Sequence, residues 1–442
     1  MEVNSKSVEF GVGEKSTLVR SQKTRALVDS DQGFIRNIAK LLSGNIAAQA
    51  LPVLVTPILA RLYSPADFGF FGLFLSLSLV LGTIATLRYT QALFLPETNS
   101  EVSRMALLCL VVTTALSVIV FAGYICAKAA FEKLPGSGAS FAAGLALSTL
   151  IAGVQQTLYA LANRWGYYSL MTLSKISQAA GIAIITVVIA VFVSRSASGL
   201  IVGHLAGQIL GIIPLLPMGK RLREELPSRE RAEIIGLGLK YKEFVFLSLP
   251  STLINAITNQ LPILFVTLLF SSDVLGQYNL MMRVTFGPLA LISLAFLDVF
   301  KERASREYRE HGSCRAIFLR GALMLAIIGI PCLILFYPFA PGVFTMLFGN
   351  EWRDAGELAK ILTPLFIARF IVSPLSFVIY VSGKQRLELI WQITLSAVVF
   401  SALSIGASSG DFMHAMRWFS ICYAVMYCFY FWINLSLTDK TE

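Results

Sequence analysis

The chain has 442 residues, of which 56% are hydrophobic and only 14% charged, against about 25% charged in an ordinary soluble domain. Its mean hydropathy is +0.71. A soluble fold of this length has too little interior to hide so much apolar surface, so the bilayer must act as solvent, and a cytosolic enzyme with one greasy anchor is excluded. The net charge of +10 reads as membrane topology rather than as a nucleic-acid footprint, and no nucleic acid is expected as a partner.

In chain order, residues 1–34 are polar, mixed in charge and without the apolar stretch of a signal peptide; they form an expected cytoplasmic tail. Spanning-length apolar runs follow at 38–60, 68–95, 105–127, 139–161, 170–193 and 199–218. The polar stretch 218–243 carries Lys220, Arg221, Arg223, Arg229, Arg231, Lys240 and Lys242 and reads as an amphipathic linker lying on the membrane surface. Six more apolar runs occupy 244–270, 280–300, 317–345, 358–381, 389–409 and 418–437. The expected organisation is therefore an all-α polytopic membrane protein of about twelve transmembrane helices. A first six-helix bundle covers 35–217, a basic linker 218–243, a second six-helix bundle 244–437, and a short cytoplasmic C-terminus 438–442.

Counting loop charges sets the orientation. Most of the 36 Lys and Arg residues fall on the side that holds both termini and the linker, which places both termini in the cytoplasm. An internal echo supports the division. Asn45, Gln49, Leu51, Pro52, Val53 and Leu54 recur in spacing as Asn255, Asn259, Leu261, Pro262, Ile263 and Leu264. With six spans per half, the repeat is parallel, its pseudo-twofold axis lies along the membrane normal, and a substrate path between the halves is expected.

No catalytic constellation is present. His204, His311 and His414 lie on different segments, no phosphate-binding glycine loop occurs, and the six cysteines lack metal-ligand spacing and read as small core residues. The informative residues are polar groups at membrane depth. Arg369 falls near the centre of the tenth span, where a charge costs at least about 2.5–3.5 kcal/mol, so it should face protein or water. Its partner is either an anion or a structural ion pair. Arg88 is either a second anion ligand or a snorkelling side chain. Arg283 reads as an anion ligand or an interface anchor, and Lys175 as a topology charge or the lining of a cytoplasmic vestibule. Asn45 with Gln49, and Asn255 with Asn259 beside Gln260, present carboxamides on one helix face. They serve either as helix–helix glue or as sugar contacts. Pro52 and Pro262 should bend equivalent helices, as gate elements or as inert kinks. Acidic residues inside spans are nearly absent, which argues against a cationic drug as substrate.

Several blocks then resemble a known family. They are Ser43-Gly44, Gln49, Pro57-Ile58, the run Arg61 to Gly69, and the run Thr86 to Ala92. To these add Leu249-Pro250 with Pro262, Gly276-Gln277-Tyr278, the run Leu347 to Gly356, and Gly383 to Glu388. As a set they are similar to bacterial oligosaccharide (O-antigen type) flippases. These form the polysaccharide transporter branch of the multidrug/oligosaccharidyl-lipid/polysaccharide exporter superfamily. The resemblance implies an inner-membrane protein of two six-helix bundles that passes undecaprenyl-pyrophosphate-linked oligosaccharide between leaflets. It implies alternating access, a cationic cavity for the pyrophosphate to which Arg88 belongs, no cofactor, and drive by an ion gradient or the membrane potential. It also implies membrane lipids, a polysaccharide polymerase and a chain-length regulator as partners. Thr90 stands where the family often has Glu. A multidrug exporter or a lipid II flippase of the same superfamily is the alternative; the first calls for buried acids and the second commonly has additional spans.

Overall fold

The computed structural model describes residues 46–96, 98–126, 138–225 and 231–439. The tail and Asn45 lie outside them. Thirteen helices carry the described chain: α1 (Ile46–Leu62), α2 (Pro65–Ile84), α3 (Asn99–Cys126), α4 (Ala139–Arg164), α5 (Tyr168–Phe192), α6 (Ala197–Glu224), α7 (Arg231–Lys240), α8 (Leu249–Leu269), α9 (Ser272–His311), α10 (Arg315–Phe348), α11 (Asn350–Val381), α12 (Gln385–Ala407) and α13 (Phe412–Ser436). Eleven are long and apolar enough to cross a membrane, and α1 is a shorter apolar helix. Among the described residues no strand forms beyond one isolated bridge, Ser313 to Asp439. The reason is physical: in lipid every backbone group must be satisfied within its own segment, which a helix does and an open strand does not. Side-chain hydroxyls follow the same rule, and Thr149, Thr157, Thr186 and Thr363 each return their proton to the carbonyl one turn back.

The outward faces are apolar. Val118, Ile119, Ile184, Leu323, Ile327 and Leu335 are all more than half exposed, as expected where lipid replaces water. This corrects one reading of the cysteines: Cys109 and Cys314 are buried, but Cys126, Cys332 and Cys428 are exposed, because an apolar run in a membrane helix has a lipid-facing side as well as a core side.

The two halves are stitched together at one end. Ser64 caps α2 and exchanges hydrogen bonds with Asp67, whose other oxygen accepts from the backbone of Ala197 at 2.7 Å. Trp352, fully buried, donates from Nε1 to the carbonyl of Ala60 at 2.9 Å and packs edge-on against Phe68. Arg61 donates to the carbonyls of Met346 and Leu347. Just inside this end α2 crosses α9 so closely that a Cβ on Gly69 would lie 1.9 Å from the Ser272 carbonyl oxygen. One on Gly276 would lie 1.8 Å from that of Pro65. Only glycine permits that approach.

At the other end the halves meet through α7. Glu233 pairs with Arg104 of α3 at 2.8 Å, and the Gly238 carbonyl accepts from the Tyr89 hydroxyl at 3.1 Å. Helix α6 runs past Met218 to Glu224 through a 3-10 turn at Ile213–Leu215. Two π-turns, Phe244–Ser248 and Met282–Phe286, interrupt the entries to α8 and the middle of α9.

Candidate functional site

The main cavity lies in the first half, toward the α7 end. It begins with a break in the helix. Leu87 and Arg88 both adopt positive φ, 45° and 66°, a conformation that side chains with a Cβ resist. Neighbours hold it in place: Thr113 donates to the Ala85 carbonyl at 3.0 Å, the hydroxyls of Thr86 and Thr90 meet at 3.2 Å, and Tyr89 is tied to Gly238. Strain that is over-determined in this way marks functional sites. The turn ends α2 and swings Arg88 into a cavity of about 490 Å³ between the one-turn helix Tyr89–Ala92, α4 and α5. Buried Arg88 Nε has no hydrogen-bond partner.

Lys175 of α5 lines the same cavity, its ammonium 5.2 Å from the centre of the Tyr159 ring. Around the two cations stand Gln155, Gln156, Asn163 and Gln178. Gln155 donates to Gln178 at 2.8 Å and Gln156 donates to the Gly82 carbonyl at 2.9 Å. The remaining amide groups are available to a ligand, and none of the lining residues is acidic. The arrangement can accept an anion next to hydroxylated chemistry. Gln155, Tyr159 and Asn163 recur every fourth residue of α4. That stripe of polar groups on an apolar span is the signal by which the sequence could have shown this wall.

Arg369 is elsewhere. It lines a narrow chamber of about 70 Å³ in the second half, with Tyr278, Tyr423, Tyr427, Gln392 and Asn259. Its guanidinium lies 4.4 Å from the centre of the Phe286 ring. Tyr423 and Tyr427 stack with centroids 4.8 Å apart, and Tyr423 donates to the Tyr427 hydroxyl at 3.4 Å. Beyond them Glu388, in the first turn of α12, accepts from Tyr430 at 2.5 Å and from Gln392 at 2.8 Å. Tyr423, Tyr427 and Tyr430 share one face of α13 by their spacing.

Arg283 occupies a third place. From the π-turn of α9 it donates to the Pro52 carbonyl of α1 at 3.1 Å, where Thr56 also donates. Pro52 thus supplies an acceptor joining the halves, and Pro262 sits inside α8 against the Arg369 chamber. Of the carboxamides, Gln49 is exposed. Asn255, Asn259 and Gln260 line a groove of about 250 Å³ between α8 and Leu79, Val80 and Thr83 of α2. Asn259 donates to both the backbone and side-chain oxygens of Asn255 at 2.9 Å. The four cations named from sequence therefore do not share one chamber. Arg88 and Lys175 come together, while Arg283 and Arg369 stand apart.

A known family matches residues 58–357, and its description is "Polysaccharide biosynthesis protein". The chain belongs to this family. A curated relative, the succinoglycan biosynthesis transport protein ExoT of Rhizobium meliloti (strain 1021), is 22% identical over 406 residues, covering 90% of this chain and 79% of the relative. Among solved structures, the lipid II flippase MurJ in an inward closed conformation superposes with a TM-score of 0.70 at 13% identity, covering 90% of this chain and 87% of the other. An inward-facing multidrug resistance MATE family transporter of the MOP superfamily superposes with a TM-score of 0.60 at 14% identity, covering 89% and 93%. The protein is a multi-pass membrane protein of the polysaccharide biosynthesis family, with the fold seen in MOP-superfamily flippases and transporters.

Proposed function

We propose that the protein is a flippase for undecaprenyl-pyrophosphate-linked oligosaccharide. It moves its substrate from the cytoplasmic to the periplasmic leaflet of the bacterial inner membrane and supplies O-antigen, capsule or exopolysaccharide synthesis. The name of the succinoglycan relative favours exopolysaccharide. The observation that carries the reading is the cavity of Arg88 and Lys175, which combines two cations, five carboxamides and no acid. Arg88 and Lys175 offset the cost of bringing a pyrophosphate out of water. Gln155, Gln156, Gln178 and Asn163 hold the first sugars, while the polyprenyl chain stays in lipid.

The loop charges put α7 and both termini in the cytoplasm. On that orientation the stitched end faces the periplasm, and the Arg88 cavity lies toward the cytoplasmic leaflet where substrate is made. Transport by alternating access then requires the contacts of Trp352, Arg61 and the Gly69–Gly276 crossing to part while the α7 end closes.

The test replaces Arg88 by Gln and by Lys, and Lys175 by Gln, and measures surface polysaccharide at matched protein levels. Arg88→Gln and Lys175→Gln should each reduce export at least tenfold, and Arg88→Lys less. Normal export in both Gln variants overturns the proposal.

A further inference from the structure

We infer that the chamber around Arg369 is a binding site for one small inorganic anion of halide size, distinct from the cavity of Arg88 and Lys175. An arginine stays charged at any accessible pH, and a buried charge calls for a counter-charge. Among the described residues Arg369 has no carboxylate within ion-pair distance and no hydrogen-bond acceptor; its contact is the face of Phe286. Glu388, the carboxylate bonded to the lining residue Gln392, is engaged by Tyr430 and Gln392.

The other polar groups of the chamber are donors, are already spent, or are the amides of Asn259 and Gln392, whose nitrogens are committed and whose oxygens can take water. Tyr427 accepts from Tyr423, which leaves the Tyr427 proton free to be given to a ligand. Tyr278 lines the same space. Thr258 is committed to the Ile254 carbonyl and to Ser396, and the Asn259 amide to Asn255. No lining residue is acidic, so a metal cation finds no ligand set.

Size then decides which anion. The chamber measures about 70 Å³, against about 490 Å³ for the first-half cavity. A water needs roughly 10–15 Å³ of such space. The chamber therefore has room for one small anion with a few waters, and a pyrophosphate bearing a sugar and an isoprenoid chain does not fit.

The experiment uses the full-length purified protein at constant ionic strength, with sodium gluconate replaced stepwise by sodium chloride or sodium bromide, and reads the melting temperature. A saturable rise of about 2–4 °C with either halide is expected. It should disappear in Arg369→Gln and persist in Arg88→Gln. No halide dependence, or the same dependence in Arg369→Gln, overturns the site. A second titration adds farnesyl pyrophosphate in gluconate. If that ligand stabilises the wild type and Arg88→Gln but not Arg369→Gln, the chamber belongs to the lipid substrate and the inference fails. Should Arg369→Gln not fold, Tyr427→Phe replaces it, with a halide midpoint moved several-fold higher expected and an unmoved midpoint overturning the claim.

Discussion

The Tyr89 hydroxyl donates to the carbonyl of Gly238 across 149 residues of sequence, at 3.1 Å. It fastens α7 to the residue that follows Arg88 in the strained turn. Connector and cavity are thus one mechanical unit. Removing the hydroxyl in Tyr89→Phe deletes a hydrogen bond worth about 1 kcal/mol. Amide exchange across 231–240 should quicken about fivefold, with the melting temperature nearly unchanged. Unaltered exchange there would show that the bond carries no load.

The turn itself makes a second prediction. Leu87 sits at φ 45°, so glycine should outperform alanine at this position, the reverse of its behaviour within helices. Leu87→Ala and Leu87→Gly remove the same packing to within one methyl. Thermal melts should place the Gly variant about 1 kcal/mol above the Ala variant. The opposite order would refute the left-handed backbone.

At the stitched end, Gly69→Ala or Gly276→Ala puts a methyl into the opposing backbone, 1.9 Å or 1.8 Å from a carbonyl oxygen. Backbone cannot yield as a flexible side chain can, so α2 and α9 must separate. Each change should cost about 1–3 kcal/mol, read as a lowered melting temperature. A cysteine introduced near Trp352 should also react faster with a membrane-impermeant maleimide. Wild-type stability in both variants would contradict the crossing.

Gln277 bridges two backbone groups, donating to the Glu351 carbonyl at 2.6 Å and accepting from the amide of Ala355 at 2.9 Å. Gln277→Leu strands both. The expected loss is about 2–4 kcal/mol, the penalty for two buried groups left unmade. Gln277→Glu, which keeps only the acceptor, should fall between. Chemical denaturation in detergent that ranks the three proteins otherwise would remove this role from Gln277.

Much of the architecture is legible in the sequence because the bilayer enforces one rule, that apolar length equals a span. The α-helical class follows from composition alone, and the basic stretch expected as a linker carries the short helix α7. The grouping of Arg88 with Arg369 and Arg283 does not survive, because depth along a helix says nothing about azimuth around it. Arg369 points into its own half, and Arg283 finds a proline carbonyl on α1. The carboxamides singled out on α8 do line a groove, but those that join Arg88 lie on α4 and α5. Glu388 enters the sequence reading only as the end of a family block and without a site role, because at the very start of α12 a carboxylate looks like an ordinary first-turn residue. The left-handed pair Leu87–Arg88 left no trace, since neither residue type advertises that backbone.

The crossing of α2 and α9 bears on how fast such a molecule can change shape. At Gly69 and Gly276 its surfaces meet through bare peptide, while beside them the Asn279 side chain is seated on Gly72. Dispersion between the smooth stretches falls steeply within about an ångström of separation, and the Asn279 side chain lifts off Gly72 as they slip apart. A joint of this kind is stiff while shut yet presents a low kinetic barrier to release, so the slow event in a working cycle should lie with cargo and its water rather than with the scaffold.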